Sequence, residues 1–566
     1  MSKSAKQLVT SIAVAGTALL ASVLLMPPQW YSVETRLQLS QWFGVAAYRQ
    51  AEQAIDENVT GLNNAVEIEP ACPEDISGWR SAQQVEQVSL AASPTCVADN
   101  PYAVAAFVKG TNNVSMETLM ASGLSPDAVV KGEDLDGDGD PDVIHIRLEV
   151  IELNGGSPDA IEPTTQFAVA PGINPSLWVF APKSIGMSTL NFDSNQAKNL
   201  LRPPSPTIRI EQGDQVFITL ENSHYLPHTI HFHGVDHSFL DAQGEGNDGV
   251  PITSEMPVAP GSARTYEIQA RQSGTMFYHC HVQVQVHVMM GLQGMFVVEE
   301  NRPNNTLQTL NIGAGHVRVS SQAVRQDYDS EYDLHFSDID LDLNKRVQAS
   351  NNPVEIEQSV NREYDVTQAA SELSLLNGRA FPYTFQESLI VTRPDEKVKL
   401  RVVNGGSEGV SLHTHGHKTT ATHLDGVEVS PEARVMRDVF WLSSAQRMDL
   451  ELDTHNDGLH SYGSGVWLLH DHQEKSVTNA GIGPGGSVGA IVYEEFLDEN
   501  GWPTTYGEDL NQFFDPSYYN RISNDESRPL SLDANMLMRL LALGIAIGIF
   551  LAALLNIGRA FIRNPS

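Results

Sequence analysis

The segment Thr207-Ile-Arg-Ile-Glu-Gln-Gly-Asp-Gln-Val-Phe-Ile-Thr-Leu220 alternates apolar and polar side chains on both sides of a central Gly-Asp turn. Because successive side chains of a strand point to opposite faces, this alternation predicts a pair of half-buried strands around a turn. The segment Leu389–Val403 repeats the pattern. Between about 140 and 495, short β-branched runs broken by Gly, Pro, Asn and Asp dominate. The sequence therefore predicts an all-β protein built from β-sandwiches.

Four His-x-His pairs accompany these strand patterns, namely His231/His233, His279/His281, His413/His415 and His470/His472. At positions i and i+2 of a strand, both imidazoles face one side and the intervening residue faces the other. Cys280 lies inside the second pair, so its thiolate faces a different site from the flanking imidazoles. Imidazole and thiolate ligands suit copper, and a His₂Cys set with a weak axial ligand is typical of blue copper. A single such pair is usually an ordinary strand, but four of them predict a multi-copper protein.

These motifs resemble those of the multicopper oxidases, and in particular the laccase-like two-domain members with type 1 copper in the first domain. His228-Thr-Ile-His231-Phe-His233-Gly matches the family's H-P-x-H-L-H-G pattern except at the proline, and Tyr278-His-Cys-His281 matches its H-C-H motif. The resemblance implies two cupredoxin-like Greek-key β-sandwich domains, at 145–300 and 325–497, joined by a linker at 301–324.

The resemblance also implies a role for each ligand. Type 1 copper would be held by His228, Cys280 and His287, with Leu292 at the axial position and Met289 or Met290 as competitors for it. Type 2 copper would take His231 and His413. The type 3 pair would take the remaining members of the four pairs, which are His233, His279, His281, His415, His470 and His472. The chain would then hold four copper ions.

The second half departs from the first at the type 1 positions. Asp471 stands where the cysteine would be, Val410 stands three residues before His413 in place of a histidine, and Ser476 occupies a downstream position. The second domain is therefore predicted to keep its cluster ligands without a blue-copper site. Each domain brings four cluster histidines, and the family implies a homotrimer with clusters between the first domain of one chain and the second domain of the next.

The predicted activity is oxidation of a small donor, a phenol or a metal ion, coupled to four-electron reduction of dioxygen to water. Copper nitrite reductase is the alternative enzyme, although it needs no type 3 histidines. A copper store or electron carrier is the non-enzymatic alternative, and it leaves the cluster ligands unexplained. Three carboxylates are candidates for proton delivery to the cluster, namely Asp248, Asp425 and Glu474. Each of them has an ordinary surface role as its alternative.

Both ends of the chain carry apolar runs. Leu8–Met26 follows Lys3 and Lys6, and Leu540–Ile557 precedes Arg559 and Arg563. About 20 apolar residues span a bilayer, and Lys and Arg outside both runs predict cytoplasmic termini. The body would then be membrane-anchored in the periplasm or otherwise outside the cytoplasm. A cleaved signal peptide is the alternative for the first run, and a buried core helix is the alternative for the second. The predicted segments are 1–29, a linker at 498–537 and the helix at 538–566.

The extension at 30–144 matches nothing in the resemblance. Its Cys72 and Cys96 are able to pair in an oxidising compartment. It ends in an acidic loop whose carboxylates have the first spacings of an EF-hand-like calcium site, namely Asp134, Asp136, Asp138, Asp140 and Asp142. A structural calcium ion is predicted there, with a solvated acidic turn as the alternative. The formal net charge of −35 argues against nucleic acid as a partner.

Overall fold

The computed structural model describes residues 128–155, 167–183, 202–303, 307, 309–311, 315–316, 328–499 and 501–520, the backbone of 83–85 and 88–90, and the single positions 14, 545, 549 and 552. The chain divides into two compact units, residues 51–520 and residues 1–50 with 521–566. In the smaller unit, the four described positions are helical. The described strands all lie in the larger unit.

Several predictions from the sequence fall outside the described residues. They are the two membrane-spanning helices as whole elements, the pairing of Cys72 with Cys96, and most of the extension before residue 128. Within the described part of the chain, none of the helices combines the length and the apolar character that a membrane crossing requires.

The first half of the larger unit follows a short hairpin of β1 (Gln83–Val85) and β2 (Val88–Leu90). Its strands are β3 (Val129–Gly132), β4 (Val143–Leu153), β5 (Leu177–Pro182), β6 (Ser205–Glu211), β7 (Gln215–Glu221), β8 (His231–His233), β9 (Ala263–Gln269), β10 (Gly274–His279), β11 (Gln293–Glu299) and β12 (Leu310–Asn311). One sheet has the order β3-β4-β7-β9, with β5 on β4, and the other has the order β12-β6-β11-β10-β8. The first sheet thus begins at Val129, ahead of the predicted domain boundary at 145.

The second half adds β13 (Gly315–His316), β14 (Ser330–Ile339), β15 (Leu373–Leu376), β16 (Ile390–Thr392), β17 (Lys397–Asn404), β18 (Val410–Thr414), β19 (Thr419–Leu424), β20 (Val427–Glu428), β21 (Met436–Arg437), β22 (Val439–Leu442), β23 (Arg447–Asp453), β24 (Val466–Asp471) and β25 (Val488–Tyr493). One sheet runs β13-β14-β17-β23-β19-β20, with β15 on β14 and β21 on β19. The other runs β16-β25-β24-β18-β22.

The two halves repeat one plan of strand pairing. In the first half β4 lies parallel to β7 and β6 lies parallel to β11, while β10 is antiparallel to both β11 and β8. In the second half β14 is parallel to β17, β16 is parallel to β25, and β24 is antiparallel to β25 and β18. The equivalent strands are β8, which carries the first histidine pair of its half, and β18, which carries His413 and ends just before His415. β10 and β24 lead into the second pair of each half.

The two strands predicted around the turn at Gly213 exist, but they do not pair with each other. β6 joins one sheet and β7 joins the other, so Gly213, at φ +111°, carries the chain between sheets. β6 is buried along its whole length, whereas β7 alternates as the sequence predicts. The reason is that β6 is covered on a second side by the other half, where the guanidinium of Arg209 bonds to Asp333 and Glu331.

Helices in the described part are short. They are α1 (Val284–His287), α2 (Leu341–Gln348), α3 (Pro353–Gln358) and α4 (Thr384–Glu387), with a π-helical turn at Ser359–Glu363. Single 3₁₀ turns lie at Val366–Gln368, Pro431–Ala433, Glu474–Val477, Glu494–Phe496, Leu510–Phe514 and Pro516–Tyr519. Asp340 caps α2 by accepting hydrogen bonds from the amides of Asp342 and Leu343. The fold is thus mostly β, as predicted.

A buried ion network joins the two halves. Arg401 on β17 donates to both oxygens of Glu299 on β11, at 2.9 Å each, and to Asp449 on β23 at 3.1 Å. Arg209 donates to Glu299 at 2.9 Å and to Glu331 at 3.0 Å. Breaking a buried pair of this kind leaves an uncompensated charge, so the network fixes how β11 and β10 sit against the second half.

Candidate metal centres

The first candidate centre is a buried His₂Cys set in the first half. His228 lies just before β8, Cys280 directly follows β10, and His287 ends α1. The Sγ atom of Cys280 lies 3.6 Å from Nδ1 of His228 and 3.3 Å from Nδ1 of His287. Their three ligand atoms all lie within 4.8 Å of one another, and all three side chains are buried. The structure therefore brings together the three residues predicted for type 1 copper.

Burial decides the protonation of this set. It raises the pKa of the Cys280 thiol to about 12 and lowers the pKa of His287 to about 3. The pKa of His228 is lowered by burial first and then by His287 and His224. Both imidazoles are thus neutral and carry a free lone pair, while the thiol needs a bound cation to lose its proton. A neutral His₂Cys donor set in a dry site fits copper.

The axial side of this set is apolar. Leu292 is fully buried, its amide bonds to the carbonyl of His287, and its carbonyl accepts from the amide of Cys280. The competing thioether of Met290 accepts instead from the side-chain amide of Asn344, at 3.8 Å. These contacts favour Leu292 over Met290 as the residue beside a metal bound here.

The second candidate centre is formed by the four remaining histidines of the first half. Nε2 of His233 lies 2.9 Å from Nε2 of His279, and the ring of His231 lies 5.5 Å from that of His279 and 5.3 Å from that of His281. Nδ1 of His231 bonds to the carbonyl of Asp248 at 2.6 Å, which leaves its Nε2 for a metal. Burial lowers the pKa of His279 to about 3 and of His233 to about 4, so both are neutral.

The second half repeats this arrangement at the same register. His231 on β8 faces His279 on β10, and His413 on β18 faces His470 on β24. Nε2 of His415 lies 3.2 Å from Nε2 of His470, and Nδ1 of His413 bonds to the carbonyl of Asp438 at 2.9 Å. The ring of the fourth member, His472, lies 5.5 Å from that of His413.

The two four-histidine sets are separate within the chain. Among the residues that the structure describes, neither a hydrogen bond nor a ring contact joins a histidine of one set to a histidine of the other. In the first set one histidine is buried and the other three are partly exposed. In the second set three are partly exposed and His472 is exposed. Each set is therefore an open half-site with four ligands.

The three predicted proton-delivery residues lie in different surroundings. Asp248 contacts the first half-site, because its Oδ1 lies 3.3 Å from Nδ1 of His231 and 3.1 Å from Nε2 of His237. Asp425 belongs to the second half of the chain and lies near His233 of the first half-site, where its charge opposes the lowering of the His233 pKa by burial and by Arg447. Its Oδ1 accepts from the amide of Arg447 at 3.0 Å. Glu474 is exposed in a 3₁₀ turn.

In the second half, different residues occupy the positions equivalent to the predicted type 1 ligands. Oδ1 of Asp471 accepts from the amides of Ser411 at 2.8 Å and Gln473 at 3.2 Å. Ser476 is buried and accepts from the hydroxyl of Ser374, and Val410 is buried on β18. A small pocket lined by these residues stands where the first half has its His₂Cys set. The absence of a blue-copper site from the second half stays a prediction.

The acidic loop between β3 and β4 brings three of its carboxylates together. One oxygen each of Asp134, Asp136 and Asp138 lies within 4.8 Å of the others. Asp142 turns inward, where its Oδ2 accepts from the amides of Leu135 and Asp136. Burial and the neighbouring Asp140 raise the pKa of Asp138 to about 6, as expected for crowded carboxylates without a cation.

Sequence reasoning gave no role to a second group of residues beside the His₂Cys set. His224, Glu152, Trp178 and Tyr225 surround His228 and bond to one another. The available signal was the His224-Tyr-Leu-Pro-His228 spacing, which alone says nothing about the direction of either ring.

The chain is similar in sequence to known copper proteins. Residues 201–303 match the family model described as multicopper oxidase. The chain is 26% identical over 261 residues to the iron transport multicopper oxidase FET3 of Saccharomyces cerevisiae, a match that covers 45% of this chain and 34% of the relative. It is 26% identical over 250 residues to copper resistance protein A of Pseudomonas syringae pv. tomato, covering 40% and 38%.

Among solved structures, the blue copper oxidase from Nitrosomonas europaea is similar at 22% identity and a TM-score of 0.46, covering 67% of this chain and 94% of that one. The chain spans about a third of the length of the curated relatives named above. The resemblance to the multicopper oxidases and a mostly β fold are confirmed, while the cupredoxin-like Greek-key topology, the domain boundaries and the individual ligand roles stay predictions.

Proposed function

We propose that this chain, whose residues 201–303 belong to the multicopper oxidase superfamily, oxidises a small donor one electron at a time and reduces dioxygen to two waters with four electrons and four protons. One observation carries the proposal. The buried His₂Cys set and the first four-histidine half-site meet at His279-Cys280-His281, so one covalent segment joins a blue-copper ligand set to a cluster ligand set.

The chain's own residues divide the work between the two sites. When bound, copper supplies one-electron acceptance at the His₂Cys set and dioxygen reduction at the histidine cluster. Nδ1 of His279 is bonded to the carbonyl of Cys280 at 2.9 Å, which fixes its other nitrogen toward the half-site. Asp248 holds the ring of His231 and is the carboxylate in contact with the first half-site, so we assign proton delivery to it first, ahead of Asp425 and Glu474.

We further propose that the cluster forms between chains of a homotrimer, giving four copper ions per chain. Support comes from the two open half-sites of four histidines each. Exposed apolar side chains flank both of them: Ile252 and Met256 follow Asp248, while Trp441 lies on β22 beside β18. Exposed apolar patches near incomplete ligand sets favour burial against another copy, and head-to-tail contacts close into a ring under cyclic symmetry.

A mixing experiment tests this assembly. One variant carries His231→Ala and His233→Ala, and the other carries His413→Ala and His415→Ala. Each is expected to be inactive alone. Co-expressed at equal levels, they should recover about a quarter of the wild-type oxygen consumption, because half of the first half-sites and half of the second are intact and only intact pairs work. Complete inactivity of the mixed oligomers, at wild-type size, would show that the cluster does not form between chains.

Oxygen consumption by copper-loaded protein tests the activity itself. Phenolic, ferrous and cuprous donors are supplied separately, with nitrite as the competing acceptor. We expect oxygen uptake without peroxide, and its loss in His413→Ala. Nitric oxide formed from nitrite without oxygen uptake would assign the protein to the nitrite reductases instead.

Two further features belong to the proposal. The apolar runs at 8–26 and 540–557 would anchor the enzyme in a membrane with its body outside the cytoplasm, probed by protease access to intact cells. The loop at 134–142 would hold a structural calcium ion, because Asp134, Asp136 and Asp138 present converging carboxylate oxygens, the ligands that calcium prefers.

A further inference from the structure

The side of His228 that faces away from Cys280 is held by a second buried histidine. Nε2 of His228 lies 2.8 Å from Nδ1 of His224, and both side chains are at most 1% exposed. The same Nδ1 of His224 accepts a hydrogen bond from the amide of Leu226 at 3.4 Å. Because an atom that accepts from an amide carries no proton, His228 must be the donor in the contact between the two rings.

This donor assignment fixes the tautomer of His228. Its Nε2 carries the proton, so the lone pair lies on Nδ1, and Nδ1 is the atom that faces Sγ of Cys280 at 3.6 Å. A neutral imidazole has one N–H and one lone pair, so the proton of His224 lies on its Nε2. That nitrogen faces Oε2 of Glu152 at 3.4 Å. The arrangement therefore runs from a carboxylate through two imidazoles to the ligand atom.

Two further side chains hold the carboxylate end in place. Oε2 of Glu152 accepts from the hydroxyl of Tyr225 at 2.6 Å and from the indole N–H of Trp178 at 3.1 Å. The Tyr225 ring packs on the His224 ring with centroids 4.0 Å apart. Trp178 is fully buried, and its ring lies edge-on to those of His224 and His287, at 5.1 and 5.2 Å. The packing leaves His224 little freedom to turn.

We propose that His224, anchored by Glu152, is a positioning residue for the His₂Cys metal site, holding His228 in the tautomer and ring orientation that present Nδ1 to the metal. The inference rests on the proposed function in so far as it takes copper as the metal. An acceptor on the far nitrogen makes the near nitrogen a stronger donor, which favours cupric over cuprous ion. The hydrogen-bonded series of Glu152, His224 and His228 should therefore tighten cupric binding and lower the reduction potential of the site.

A buried histidine pair that merely fills the core is the alternative, and the variants separate the two. His224→Phe keeps a ring against Tyr225 and removes the acceptor, His224→Gln restores an acceptor oxygen, and Glu152→Gln replaces the carboxylate by a neutral group. His417→Phe is the matched control, because His417 is also buried, 2% exposed, and bonds to Tyr493 and a backbone carbonyl in the second half.

The measurements are made on full-length copper-loaded protein: the thiolate-to-copper charge-transfer band, the midpoint potential of that band, and its titration with cupric ion. We expect His224→Phe to weaken cupric binding about 10- to 100-fold and to raise the potential. His224→Gln should recover part of both effects, Glu152→Gln should raise the potential less, and His417→Phe should leave the band and its potential unchanged.

Unchanged affinity and potential in both His224→Phe and Glu152→Gln would overturn the inference, and so would an equal change in the His417→Phe control. If His224→Phe does not fold, the midpoint potential of Glu152→Gln tests the proposal. A raised potential supports the positioning role of His224, and an unchanged potential overturns it. Failure of the proposed function looks different, because the wild-type protein would then consume no oxygen, whether or not it shows the charge-transfer band.

Discussion

The two halves of the larger unit share one strand plan and one histidine register, yet only the first pairs its half-site with a buried His₂Cys set. At the equivalent place in the second half, the carboxylate of Asp471 accepts hydrogen bonds from the backbone amides of Ser411 and Gln473. The strands thus place the histidines of the two half-sites, whereas the loops at the strand ends decide whether a His₂Cys set forms beside them. His228 precedes β8, and α1 brings His287 back toward Cys280.

Substitution of Cys280, which follows β10, should change the spectrum and the activity far more than substitution of its counterpart Asp471, which ends β24. Cys280→Ser is expected to abolish the charge-transfer band and to reduce donor oxidation more than a thousandfold, because it removes the soft ligand of the blue site. Asp471→Ser should keep the band and lose only stability. Absorption spectra and oxygen uptake of both variants check this, and a wild-type band in Cys280→Ser would contradict the ligand assignment.

Carboxylates near the half-sites offer a second test of the asymmetry. Asp248→Asn is expected to slow oxygen consumption about 100-fold, the scale of a lost proton-transfer group, because Asp248 contacts His231 and His237. Asp425→Asn should have a smaller effect, since Asp425 is engaged by Arg447. Steady-state rates at saturating donor and oxygen measure both. Equal rates for Asp248→Asn and wild type would transfer the proton-delivery role to Asp425 or Glu474.

Much of this difference between the halves can be predicted from the sequence, because it depends on residues that are close together in the chain. The i, i+2 spacing of His231 and His233 or His413 and His415 settles which way the rings point once a strand is assumed, and Cys280 falls on the opposite face by the same rule. The absence of a second cysteine at Asp471 is equally local. These features depend on residues close together in the chain, so the patterns predict them.

The sequence patterns do not predict which strands pair or which residues distant in the chain come into contact. Alternation predicts β6 and β7 as strands, but it does not say that they join different sheets. Asp425 reaches His233 because the two halves pack together, with Gly274 against the backbone of Gly426. His224 bonds to His228 through a loop whose path depends on Asn222, which donates to two backbone carbonyls. Such contacts follow from the folded topology, not from spacing.

Acid should weaken the metal-free protein through its buried neutral histidines. Burial lowers the pKa of His335 to about 3, below the unfolded value near 6.5. Below pH 6.5 the unfolded chain binds a proton that the folded chain does not, so stability is full above pH 6.5 and falls as the pH drops toward 3, by about 1.4 kcal/mol per pH unit for this group.

Chemical denaturation of the apo protein from pH 8 to pH 4 measures this slope. His335→Gln, which keeps a polar group beside Gln293, should make the slope shallower. Because His335 lies on β14 and faces Gln293 on β11, the test reports on the contact between the halves. An unchanged slope in His335→Gln would mean that this histidine takes up a proton in the folded protein.

The smallest expected effect concerns the acidic loop between β3 and β4 in the first half. Calcium at 100 times its dissociation constant would stabilise the folded protein by about 2.7 kcal/mol, since only the folded loop brings Asp134, Asp136 and Asp138 together. Asp134→Asn should remove the calcium-dependent rise in melting temperature, while Glu357→Gln, an exposed acid on α3, should retain it. A calcium response that survives in Asp134→Asn would place the cation elsewhere. A wild-type protein indifferent to calcium would make the loop a solvated turn, in which Asp134 accepts hydrogen bonds from the amides of Gly137, Asp138 and Gly139.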